Sequence, residues 1–322
     1  MLGNLIFSIN AILPVFIMVV LGWVLKNKKF LPESFFSQAD KFVFKVALPC
    51  NLFIKVLAGD VAELKKLFPL MGFILVGISA FFVLACAIVP FVIKDNGKRG
   101  AFIQGIYRGN FAILGLPIAS NLFPENDIGA TTVAVVMPVA IVAVNVFAVV
   151  ILTVYAPSDI KKTPMQTAAN ICLSIIKNPL IISCLLGLAF MVLGIELPSF
   201  AHNSIDKLSD TVFALALMSL GAEFSFGALK GRFGTSLVGA IVKTVVLPSL
   251  AVLVAVAMGF RNVELGVILI FFGAPTAVSS YIMAKNMKSD HEMASQILLI
   301  STLICMFTLF VGIFVLKSCK LI

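Results

Sequence analysis

Two short segments carry the residue types that would let an apolar chain hold a charged solute. Gly115-Leu-Pro-Ile-Ala119 and Gly273-Ala-Pro-Thr-Ala277 both place Gly first, Pro third and Ala fifth, 158 residues apart. A proline inside a helix removes one backbone donor and clashes with the preceding turn, at a cost of about 3 kcal/mol. In hydrocarbon the carbonyl it frees finds no water, so a break is tolerated only where protein or trapped water pairs the backbone again. The ends of broken helices carry partial positive charge at N-termini and partial negative charge at C-termini. Two such breaks crossing at one point would hold a small anion, and a cation beside it.

The residues around both breaks suit that chemistry. Asn110, Gly115, Pro117 and Ser120 in the first segment and Gly273, Pro275, Thr276 and Ser279 in the second form the candidate substrate-binding set, with Asn145 in the following apolar run. Asn and Ser offer donors and acceptors to a carboxylate, and small residues let backbones approach. Gln104, Tyr107, Asn121, Ser280 and Tyr281 add polarity nearby. A lone serine also bonds back to its own helix, and either proline alone fits a packing kink, so those readings stand beside the functional one.

Arg108, Glu223 and Lys243 are the candidates for charge complementarity or coupling. Each costs about 2.5–3.5 kcal/mol at a bilayer centre and therefore faces a partner or a cavity. Lys243 either counters an anionic substrate or pairs with Glu223; Arg108 serves the site or lies near the inner mouth. Lys45 and Glu223 sit close enough to span ends to snorkel. No Walker A sequence, HExxH or nucleophile elbow occurs, which leaves ATP-driven pumping and intramembrane hydrolysis without a motif. The expectation is a protein that is not an enzyme, has no cofactor or metal, and works by facilitated diffusion or by coupling to protons or sodium. The six cysteines form no CxxC pair, and His202 and His291 have no ligand cluster beside them.

The elements that must position these residues follow from composition. With 61% hydrophobic residues, 12% charged residues and a mean hydropathy of +1.12, the chain lacks the polar surface of a soluble domain. Apolar runs of about 20 residues, enough to cross hydrocarbon of roughly 30 Å, recur throughout. The fold class expected is an all-α polytopic membrane protein with ten spans, near 5–25, 42–58, 68–93, 101–123, 128–155, 171–195, 209–228, 235–259, 264–284 and 293–317. The net charge of +9 lies in short loops, so it reports orientation in a membrane and not a nucleic-acid partner. Thirteen Lys and Arg fall on the side of Lys26, Lys94 and Lys161 against seven on the side of Lys55, Lys207 and Arg261, which places both termini outside.

The chain also resembles itself. Leu31-Pro32 with Asp40-Lys41 returns as Leu197-Pro198 with Asp206-Lys207, at an offset of 166. Residues 1–155 and 171–322 are thus two five-span repeats joined by a cytoplasmic connection over 156–170. Five is odd, so the second copy enters from the opposite side, and spans four and nine become matched broken helices that cross near the midplane.

The stretch Tyr107-Arg-Gly-Asn110-Phe-Ala-Ile-Leu-Gly-Leu-Pro117, with Ala47-Leu-Pro49 and the run from Lys243 to Pro248, resembles the bacterial branch of the auxin efflux carrier family over essentially the whole chain. Bile acid and sodium symporters share that architecture more distantly. The resemblance implies a scaffold of spans one, two, six and seven, a transport domain of spans three to five and eight to ten, and a homodimer working by an elevator-like motion. It implies a permease for malate, malonate or a similar carboxylate in the bacterial inner membrane, in contact with lipid. The short central connection departs from the long loop of the plant members and speaks against auxin itself. A weak-acid exporter, a channel and a membrane sensor on the same helices are the alternatives.

Overall fold

Hydrocarbon leaves an apolar chain only internally paired backbone, and the computed structural model of this protein is accordingly built of helices. It describes residues 2–58, 65–155, 165–166, 173, 176–177, 179–222 and 233–322, and among them no strand occurs. In chain order the helices are α1 (Leu2–Asn27), α2 (Glu33–Phe42), α3 (Leu48–Leu57), α4 (Phe68–Val92), α5 (Asn96–Tyr107), α6 (Leu116–Leu122), α7 (Ile128–Val154), α8 (Pro179–Leu193), α9 (Ser199–Ala222), α10 (Phe233–Ile241), α11 (Leu247–Ala257), α12 (Asn262–Gly273), α13 (Val278–Asn286) and α14 (His291–Ser318).

At three Leu-Pro pairs the chain stays helical. A π turn fills Val43–Ala47, Phe111–Gly115 and Val242–Val246, and each is followed at once by Leu-Pro: Leu48-Pro49, Leu116-Pro117 and Leu247-Pro248. The wider π turn gives the proline ring room where an α-helical carbonyl would clash, so the helix passes through the proline instead of ending there. Residues 111–122 and 233–257 consequently run as single helices.

This corrects the expected position of the first break. It lies at 108–110, between α5 and the π turn, and Pro117 sits beyond it inside a helix. The second break, 274–277, does contain Pro275.

By length and composition, three described helical runs, 68–92, 233–257 and 291–318, are able to cross a membrane. α1 and α7 join them if each is taken as one bent span; α1 bends by 40° just ahead of Pro14. Their outer surface is apolar, with Phe91 at 87% and Phe307 at 66% exposed, the inverse of a water-facing surface.

Close backbone contact ties the helices together. A Cβ on Gly22 would lie 1.9 Å from Met218 O, and one on Gly221 would lie 1.8 Å from Val19 O, so α1 and α9 touch backbone to backbone. α3 packs on α8 in the same part of the molecule, while α5 is held between α7 and α14. Asp95 and Asp290 cap α5 and α14 by accepting from Gly97 N and Met293 N at 2.9 and 3.0 Å.

Candidate functional site

α5 ends at Tyr107 because Arg108 is extended, with φ −84° and ψ 108°; α12 ends at Gly273 because Ala274 is extended, with ψ 141°. The two extended pieces lie antiparallel. Asn110 N donates to Pro275 O at 2.7 Å and Ala277 N donates to Arg108 O at 3.1 Å, which brackets Gly109 opposite Thr276. Pro275 costs the junction no donor, since only its carbonyl is used.

The antiparallel direction sets the electrostatics. The C-terminus of α5 meets the N-terminus of α13, and the N-terminus of the 111–122 helix meets the C-terminus of α12, so opposite partial charges adjoin. Carbonyls left over at the helix ends are closed by side chains. Thr276 Oγ1 donates to Gly105 O at 2.7 Å, and Lys243 Nζ donates to Phe272 O at 2.7 Å. Ser301 Oγ, from α14, accepts from Thr276 N at 3.1 Å. Gly109 keeps this contact close: a Cβ would meet Lys243 Nζ at 3.3 Å and Phe271 O at 3.4 Å, so a larger residue would push the ammonium by a few tenths of an ångström. The rings of Phe111 and Phe271 cover the junction, 4.3 Å apart.

Arg108 extends from the same break and is buried. Its Nη2 donates to Asn145 Oδ1 at 2.8 Å, and Asn145 is itself fixed by donating to Ile141 O. Nη1 faces Met283 Sδ and Gln104. With its amide oxygen turned to the guanidinium, Gln104 accepts from Nη1 at 3.3 Å and donates to Ser280 O at 3.2 Å. Among the described residues no carboxylate lies within ion-pair distance of Arg108 or Lys243; pairs such as Lys26 with Glu33, Lys55 with Asp127 and Lys98 with Asp95 lie elsewhere. Two buried polar atoms beside the junction are left without partners, Asn110 Nδ2 and Ser280 Oγ.

The structure therefore brings together Arg108, Asn110, Asn145, Lys243, Pro275 and Thr276 from the sequence set. Gly115 faces Ile270 of α12, and Gly273 packs on Leu309 of α14, both as spacers. Ser279 is half-buried in the first turn of α13. Ser120 lies elsewhere: it donates to Asp127 Oδ1 at 2.8 Å, and the other oxygen of Asp127 pairs with Lys55 of α3. Lys45 is exposed, while Glu223, Cys172 and all but two residues of the 156–170 connection lie outside the described residues. Nothing in the local pattern singles out Ser301 or Met283, each an isolated side chain in its helix. Gln104 and Ser280 were legible only as polarity without a partner. Among the described residues no group of His, Cys, Asp or Glu has the arrangement of a metal site.

An all-helical bundle with an apolar outer surface and buried polar side chains gathered at a junction of interrupted helices has the makeup of a helical membrane protein. A profile of the membrane transport protein family matches residues 7–313, and the chain belongs to that family, which includes the auxin efflux carriers. It is 26% identical over 303 residues to an uncharacterized transporter of Methanocaldococcus jannaschii, covering 91% of this chain and 94% of the relative. A putative malonate transporter of Rhizobium meliloti is 24% identical over 313 residues, 95% of each chain. A probable auxin efflux carrier component of Oryza sativa subsp. japonica is 29% identical over 141 residues, 41% of this chain and 25% of that one.

Proposed function

We propose that this protein is a secondary carrier for a small organic anion, a carboxylate of the malate or malonate class, in the bacterial cytoplasmic membrane. One observation carries the reading. Two buried cations, Arg108 and Lys243, flank a junction with no carboxylate paired to either among the described residues, and the Asn110 amide nitrogen there has no partner. Buried charge without a counter-charge is costly, and an anionic solute arriving at the junction supplies one. The printed description of the Rhizobium relative, a putative malonate transporter, supports the same class of solute.

The mechanism that fits is alternating access around one site. Two five-helix halves of opposite orientation bring their interrupted helices to the midplane, where non-helical backbone is tolerated because it lines a solute cavity. Spans three to five and eight to ten carry the site past spans one, two, six and seven, in a homodimer with both termini outside. The Lys55 and Asp127 pair joins span two to the start of span five and has to open during that motion.

The test is counterflow in proteoliposomes, with malonate, malate, succinate, acetate and indole-3-acetate as competing solutes at several pH values and with sodium or potassium outside. Exchange of labelled malonate that the dicarboxylates compete and amines do not is the expected result. A preference for amines, or catalysis of no exchange by any carboxylate, overturns the proposal.

A further inference from the structure

Of the two buried cations at the junction, Lys243 is already committed. Its ammonium donates to Phe272 O, a carbonyl in the last turn of a broken helix, and lies against Gly109. Arg108 is different. Its guanidinium carries five N–H donors in a fixed fork, and its neighbours are an amide oxygen of Asn145, the Gln104 amide and a thioether, all neutral. These partners orient the fork and leave its charge unbalanced.

Beside it, on the other side of Gln104, stands a hydroxyl with no partner at all. Ser280 is fully buried, its Oγ bonds nothing, and its carbonyl is tied through Gln104 to the arginine. Ser280 lies in the first turn of α13, where the helix end contributes partial positive charge. The next residue, Tyr281, lines a cavity of about 540 Å³ whose wall also carries Lys26, Glu33, Asp40 and Lys41; Ser280 and Arg108 lie behind that wall and not on it, so solute reaches them only when α13 moves.

We infer that Arg108 and Ser280 form a carboxylate subsite: one carboxylate group of the solute docks on the free donors of the Arg108 fork and accepts from Ser280 Oγ, with Gln104 and Asn145 holding the fork in place. This inference rests on the carrier reading above and assigns the solute's charged group to one side of the junction. Lys243 stays a helix-end cap and does not touch solute. Bidentate contact from Arg selects planar carboxylate over a spherical anion of equal charge, so malonate binds and chloride at the same concentration does not displace it.

Binding of malonate to the detergent-purified protein, read by calorimetry, together with proteoliposome counterflow, tests this. Arg108→Gln is expected to weaken malonate binding at least about tenfold, Arg108→Lys to recover part of the loss, and Ser280→Ala to weaken it several-fold. The most telling variant is Gln104→Glu, which sets a carboxylate against the guanidinium inside the protein. It is expected to raise the melting temperature and abolish malonate binding, because the subsite is occupied from within. An arginine that only supports the fold predicts the rise in melting temperature with binding intact, and that result overturns the inference. If malonate is exchanged normally by the parent, and Ser280→Ala and Gln104→Glu bind it as the parent does, the subsite is wrong while the carrier reading survives. If the parent binds no carboxylate, both fall.

Discussion

The hydroxyl of Thr276 offers a clean measure of how firmly the two breaks are joined. It is fully buried and donates to Gly105 O at 2.7 Å, while its backbone N–H is used separately by Ser301. Thr276→Val keeps the branched shape and the backbone pairing and deletes one donor. Gly105 O then has no partner, because the residue four positions on, Gly109, is in the break and no longer helical. Leaving a buried acceptor unpaired costs about 1–3 kcal/mol. At roughly 2–4 °C per kcal/mol, a scale set by soluble domains somewhat smaller than this chain, the melting temperature in detergent should fall by a few degrees. Thr276→Ser retains the donor and should melt within about a degree of the parent. Thermal unfolding followed by a cysteine-reactive dye or by loss of monodisperse protein reads this directly. If Val melts with the parent while Ser is destabilised, the threonine contributes by methyl packing, and the hydroxyl is not what closes the end of α5.

Asn110→Ala removes an amide nitrogen that has no partner in the structure, so the variant should be at least as stable as the parent while counterflow falls several-fold; equal transport would remove Asn110 from the site. Pro117→Ala restores a donor within an otherwise continuous helix, and a protein of unchanged or higher melting temperature is expected; loss of fold would show that the π turn depends on the ring. Gly221→Ala puts a methyl 1.8 Å from Val19 O, so α1 and α9 must separate, and expression of folded protein should drop sharply by fluorescence size-exclusion. A reporter fused after Ile322 that is active only outside the cytoplasm checks the orientation read from lysine and arginine placement; activity in the cytoplasm would break the ten-span count or the inverted repeat.

The all-helical fold was legible because apolar runs of this length leave the backbone no other way to pair. Pro275 was legible as a break for the same reason. Pro117 was misleading: it shares with Pro275 a Gly two residues before and an Ala two residues after, yet the π turn before it absorbs the ring, and nothing in Phe-Ala-Ile-Leu-Gly announces a π turn. The actual first break, Arg108-Gly109-Asn110, contains no proline. It is made by pairing with residues about 165 positions later, which no local pattern encodes. Lys243 was visible as a costly charge, but its partner is a backbone carbonyl, invisible to any search for an acidic residue. Arg108 and Asn145 were both singled out, and their contact was not, since one sits in the break and the other on α7, 37 residues later.

The pairing of the two breaks bears on how the chain is made. Residues 108–110 emerge from the ribosome about 165 residues before 275–277, which at 5–20 residues per second is a wait of roughly 8–30 seconds. During that time Gly105 O lacks the Thr276 hydroxyl, and Arg108 O and Asn110 N lack each other's partner strand. Bare polar backbone is not stable among lipid tails, so α5 and the 111–122 helix cannot settle side by side as a finished span. The first break lacks these partners until residues 275–277 have been made. Pairing of the two breaks is therefore complete only once residue 277 has been made, and a chain cut after residue 155 is expected to be degraded faster than the full chain, which a pulse-chase of the truncated chain checks.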